Sequence, residues 1–233
     1  ETQVAEIAAR CDGSPVFAED LTRYMLEAIA DGRTPDAQAL PATLADSLLA
    51  RLDRLAAGRR LAQLGAVIGN EFPVAFLYAL ADLPEAEVRR GIEALIEAGV
   101  LQVGHSAFGP AVGFRHMLLQ DAAYLTLLRR DRVALHARIA ASMQTQFPEI
   151  SAALPQVLAH HLSRAGDGVQ AAAQWDRAGT MAARRSAYSE ATGLFRRALD
   201  DLAAVRDAPD LERLELGVRL NLVAALIASH GFN

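Results

Sequence analysis

Val100-Leu101-Gln102-Val103, the turn from Gly104 to Pro110, and Ala111-Val112-Gly113-Phe114 together break an otherwise helical sequence. Two short apolar runs around a Gly/Pro-rich turn predict a small β-hairpin. On both sides of it, apolar residues recur at helical spacing and alanine and leucine dominate, so the chain reads as mainly α. Upstream, Pro84 starts a helix carrying Val88, Ile92, Leu95 and Ile96 that Gly99 closes, and Pro73 opens a short helix through Phe76 and Leu80. Leu61, Leu64 and Ile68 mark a helix over Arg59 to Ile68. Before it, Thr43 and Asp46 form a capping pair ahead of Leu44, Leu48, Leu52 and Leu55, with Gly58 as the stop. Ser14-Pro15 begins the first helix, which runs through Phe17, Leu21, Tyr24 and Met25 to Gly32.

Several helices followed by one hairpin predict a winged helix. Downstream, His116 to Leu128 and Val133 to Gln146 read as helices, the second ended by Phe147-Pro148. From Leu154 onward the pattern is of short amphipathic helices joined at Gly166-Asp167-Gly168, around Ser186, and at Asp207 to Pro209. An internal repeat lies within them. Ala171, Trp175 and Ala178 stand at i, i+4 and i+7, and Ala191, Phe195 and Ala198 restate that spacing. Small residues on either side of a ring let neighbouring helices approach while the ring fills the gap.

Composition narrows the chemistry. The 233 residues are 52% hydrophobic and 22% charged, with a formal net charge of −5, which disfavours a non-specific grip on nucleic acid or anionic lipid. All 23 cations are arginine, so neither a Schiff-base lysine nor a phosphate-loop lysine is available within this stretch. Cys11 has no partner for an internal disulfide, and no Cys/His tract has zinc-ligand spacing. No apolar run approaches the ~20 residues needed to cross a bilayer. The expectation is a cytoplasmic protein without a membrane or nucleic-acid partner. Because the chain starts at Glu1 without methionine and stops at Gly231-Phe232-Asn233, it reads as a piece of a longer polypeptide.

The segment Trp175, Ala178, Gly179, Ala182, Ala191, Phe195 and Ala198, with Tyr188 before the second helix, resembles a tetratricopeptide repeat. Ala182 and Ala203 stand where that pattern usually has a larger residue and a proline. A wider resemblance rests on five blocks in order. These are Leu40-Pro41-Ala42-Thr43-Leu44, Ala50-Arg51-Leu52-Asp53-Arg54-Leu55, and Gly65-Ala66-Val67-Ile68-Gly69 with Glu71-Phe72. Phe114-Arg115-His116 with Gln120-Asp121-Ala122-Ala123-Tyr124, and Leu158-Ala159-His160-His161, complete the set. Together they resemble the region after the nucleotide-binding core in bacterial STAND-class signal-transduction ATPases, of the kind joined to class III adenylate or guanylate cyclase domains. The resemblance implies a helical lid over 1–40, a winged-helix-like domain over 41–146, and a truncated array of tetratricopeptide-like α-hairpins over 147–233. It also implies that ATP or ADP, with Mg, is held mainly by an upstream domain of the same polypeptide. The repeats would take a protein partner, and this stretch would itself be catalytically inactive.

Three residues are implicated in nucleotide binding by the same resemblance. Gly13-Ser14-Pro15 resembles the Gly-x-Pro motif that contacts the base, and glycine's close approach and proline's rigid apolar face suit that task, although both residue types also suit a plain helix start. His116 resembles the winged-helix histidine that touches the terminal phosphate of ADP; Met117 stands where that family has an acid, and the bland alternative is a capping or part-buried histidine. Arg115 reads as a surface cation, and His105 and His136 as structural or exposed. His160 and His161 point about 100° apart on a helix, which argues against a metal pair. The helix that would enter a DNA groove carries Glu85, Glu87, Glu93 and Glu97 against Arg89 and Arg90, the wrong sign for phosphate. A passive helical-repeat scaffold is the main alternative to a nucleotide switch, and a DNA-reading regulator is the third.

Overall fold

The computed structural model describes Thr22, residues 56–205 and residues 211–230. The chain divides into two compact units, one ending at Leu127 and the other beginning at Leu128. Apart from Thr22, the expected lid over 1–40 lies outside the described residues, as do the helix carrying Leu44 to Leu55 and Cys11. No described helix is long and apolar enough to cross a membrane.

The first unit contains α1 (Ala56–Ile68), β1 (Glu71–Pro73), α2 (Ala75–Leu80), α3 (Glu85–Glu97), β2 (Leu101–Ser106), β3 (Gly109–Phe114) and α4 (Met117–Leu125). Its three strands form one antiparallel sheet in the order β1-β3-β2, with Phe72 opposite Val112 and Leu101 opposite Phe114. Central β3 buries Ala111, Val112, Gly113 and Phe114 in succession rather than alternately, as a strand covered on both faces does. Leu61, Leu77, Val88, Leu95 and Leu119, all at or near zero exposure, fill the core between helices and sheet. Close approach of α1 to β1 depends on Gly65, because a Cβ there would lie 2.8 Å from the Phe72 ring. Gly99, at φ +64°, ends α3 by turning the chain so that Val100 N–H donates to Leu95 O at 2.9 Å.

Four sequence expectations change here. The sheet has a third strand: Glu71–Pro73 pairs with β3, and α2 begins at Ala75 instead of Pro73. The hairpin is longer than its flanking apolar runs, since pairing continues through His105 opposite Pro110 to Ser106 opposite Gly109. Only Ala107 and Phe108 remain as the turn; Ser106 Oγ accepts from Phe108 N–H at 3.1 Å and donates to Gly109 O at 3.0 Å, which ties it. Gly58, read as a stop, is a buried residue inside α1. The helix expected to reach Leu128 ends at Leu125, where the Thr126 hydroxyl donates to Ala123 O at 2.6 Å and accepts from Gln63 Nε2 at 2.8 Å.

The second unit is helical throughout its described residues: α5 (Arg129–Thr145), α6 (Pro148–Ala153), α7 (Pro155–Ala165), α8 (Gly168–Arg184), α9 (Tyr188–Ala203) and α10 (Leu211–His230). Helix α5 packs on α6 and α7, α7 on α8, α8 on α9, and α9 on α10. The second compact unit starts at Leu128, and Ile139, Ala140 and Met143 of α5 are buried. Gly166, at φ +89°, ends α7, and Asp167 then caps α8 by accepting from Gln170 N–H at 3.1 Å. Ser186 at φ +62° makes the same kind of turn between α8 and α9. All six residues of the small–aromatic–small pattern are buried, and a Cβ on Gly179 would lie 2.5 Å from the Phe195 ring. Covering Phe195 contributes about 1.5–3 kcal/mol. Asp201 ties three helices by accepting from Trp175 Nε1 at 2.9 Å and from Ser163 Oγ at 2.7 Å.

Candidate functional site

His116 stands where β3 becomes α4. Phe114 N–H donates to Asn70 O at 2.8 Å and Arg115 N–H to Val100 O at 3.1 Å, so the backbone on the strand side is pinned to two neighbouring segments. On the helix side, His116 O accepts from Leu119 N–H at 2.9 Å, and Leu119 is fully buried. Extended backbone angles of φ −137° and ψ 138° put His116 at the N-cap position, yet its side chain makes no capping hydrogen bond. The residue is half-buried, so the ring is both fixed at its base and reachable. No acid occupies the first turn of α4, and exposed Arg115 precedes the histidine. A helix N-terminus carries partial positive charge, and His116 sits at that end of α4. Met117, at 69% exposure, supplies no carboxylate to lock the corner.

Gly13 and Pro15 lie outside the described residues, so the structure gives no distance from them to His116. On α3, Val88, Gly91, Ile92 and Leu95 face inward, and Glu85, Glu87, Glu93 and Glu97 are exposed beside Arg89 and Arg90.

The second unit holds a histidine cluster that the sequence did not suggest. His136 on α5 and His161 on α7, 2% and 1% exposed, place their Nδ1 atoms 2.9 Å apart, a hydrogen bond in which one ring donates and the other accepts. His160 packs edge-on against both, with ring centroids 5.6 and 5.5 Å away. Burial, then the charges of His160 and Arg164, lowers His136 to about 4. His160, an exposed residue, is lowered too, by desolvation against its neighbours and by Arg164 and Arg197. These shifts keep His136 and His160 neutral at pH 7, and the His136–His161 hydrogen bond joins α5 to α7. Among the described residues, no group of three His, Cys, Asp or Glu side chains is placed to hold a metal ion. His136 and His161 are 25 residues apart, and only the α5–α7 packing brings them together.

Between α8 and α10 an open cleft of about 300 Å³ is lined by Asp176, Arg213, Leu214, Gly217 and Val218. Asn221 Nδ2 donates to Asp176 Oδ1 at 2.8 Å at its edge. Asp176 and Arg213 bring opposite charges to its lining.

No protein-family model matches the chain, and no solved structure matches it. The chain is similar to an uncharacterized protein of Rhizobium meliloti (strain 1021), 28% identical over 226 residues. That match covers 95% of this chain and 22% of the relative, so the chain spans about a fifth of the length of the curated relative it matches.

Proposed function

We propose that this chain is the regulatory part of a larger signal-transduction ATPase, of the kind that controls an adenylate cyclase-type output, and that it couples nucleotide state to protein interaction. The observation that carries the reading is the first unit's order of helix, strand, two helices and two strands, with β1-β3-β2 pairing and His116 two residues after the last strand. That order is what a winged helix requires, and it leaves the histidine at a helix start free of acidic neighbours in the first turn. In the second unit, the consecutive antiparallel helices with buried Ala171-Trp175-Ala178 and Ala191-Phe195-Ala198 faces support a tetratricopeptide-like array, and the cleft beside Asp176 gives it a place for a partner.

In this reading an upstream domain of the same polypeptide holds ATP or ADP with Mg, and His116 donates from its ring to the terminal phosphate. Gly13 and Pro15 would meet the base. The nucleotide supplies a charge that differs between its two forms, and His116 reports that difference to α4 and β3, to which its backbone is bound. Differential contact of a few kcal/mol is enough to shift such an equilibrium. The test is His116→Ala in the full-length gene product: a switch loses ADP retention or becomes constitutively active. A passive scaffold shows neither change, and a DNA-reading regulator would instead show salt-dependent binding to duplex.

A further inference from the structure

Helix α10 is apolar on two opposite sides. Val218 and Ala225, buried at 0% and 3% exposure, face the helices already stacked. At 100° per residue, Leu216, Leu220, Val223 and Ile227 fall within about 60° of each other on the opposite side. They are 59%, 62%, 52% and 46% exposed. No ionisable side chain occurs from Leu220 to Ser229, whereas the exposed positions of α9 include Glu190, Arg196, Arg197 and Asp200. The charged side chains of α10, Glu212, Arg213, Glu215 and Arg219, all lie in its first half, so its second half is apolar on both sides, as a helix covered on both sides is.

We infer that this stripe is the seat of a further helix of the same polypeptide, which follows α10 and packs antiparallel to it through an apolar, uncharged face. Two observations select that occupant. Each of α7, α8 and α9 is packed between the helix before it and the helix after it, and α10 is so packed on its α9 side with the matching stripe on the other. The four side chains expose roughly 400 Å², so two copies paired through them would bury roughly 800 Å², short of the ~1,200 Å² of a stable interface. A helix tethered by a short turn needs no such area, because its association is intramolecular. The inference rests on the repeat-like reading of the second unit and not on the nucleotide switch, so either can fail alone.

Thiol labelling tests it. In a Cys11→Ser background, Leu220→Cys and Val223→Cys are placed in the 233-residue chain and in the full-length gene product. Maleimide labelling is compared with the same protein unfolded in urea. Near-unfolded rates in the 233-residue chain, independent of concentration, and at least tenfold slower labelling in the full-length product are expected. Equal rates in the two proteins, or a gene product that ends at Asn233, overturn the inference. Protection already present in the 233-residue chain overturns it as well: growing with concentration it points to a second copy, and constant it points to cover from within the chain.

Discussion

The two units hold themselves together differently. In the first, Phe72 is paired with Val112 and Leu101 with Phe114, so a three-residue strand exists only because a distant hairpin is in place. In the second, α8, α9 and α10 pack mainly on their neighbours in the sequence, and α5 packs on α7 across the short α6. Long-range pairing makes a unit that forms or fails as a whole, whereas nearest-neighbour stacking makes one that tolerates local loss and can be extended.

Removing a central ring should separate the two most clearly. Phe195→Ala is expected to lower the stability of the second unit by about 3–5 kcal/mol and leave the first unit's urea transition in place; one joint transition moving together would erase the distinction. Acid should act on the second unit nearly as strongly. The unfolded His136 imidazole titrates near 6.5 and the folded one at about 4, so between those values the unfolded state binds the extra proton. Stability is then whole above pH 6.5 and falls as pH drops toward 4, by on the order of 3 kcal/mol, with His160 adding in the same direction. His136→Leu should flatten that dependence between pH 4 and 6.5, and an unchanged slope would assign it elsewhere.

A smaller effect is expected in the first unit from Gly65→Ala. Its added methyl would meet the buried Phe72 ring, and the overpacking of about 1–3 kcal/mol is only partly offset by alanine's helix preference of about 1 kcal/mol. Hydrogen exchange should speed up across β1, β2 and β3 together; acceleration confined to α1 would contradict whole-unit behaviour. The smallest is Asp167→Ala, which removes the α8 cap at a cost of about 1 kcal/mol and should fray only the first turn of α8.

What the sequence disclosed follows the same division. The buried faces of α8 and α9 were legible because Ala171, Trp175, Phe195 and Ala198 carry their packing instructions in local spacing. Strand β1 was not, since Glu71-Phe72-Pro73 has no strand signal of its own and Pro73 read as a helix start. The hairpin was seen but shortened: Gly104, His105, Gly109 and Pro110 have turn-like composition, and cross-strand pairing overrides it. Of the candidate site, His116 was readable as a helix start, but that its side chain makes no capping hydrogen bond was not. The His136–His161 contact was invisible, because nothing local relates two residues on separate helices.

The sharpest single measurement compares ADP with AMP. Calorimetric titration of the full-length gene product and its His116→Ala variant should show ADP affinity reduced about 10- to 100-fold, the worth of one hydrogen bond to a charged group. AMP lacks the terminal phosphate of ADP and should bind both proteins equally. Equal ADP affinities, or equal losses for ADP and AMP, would contradict a histidine that reads the phosphate.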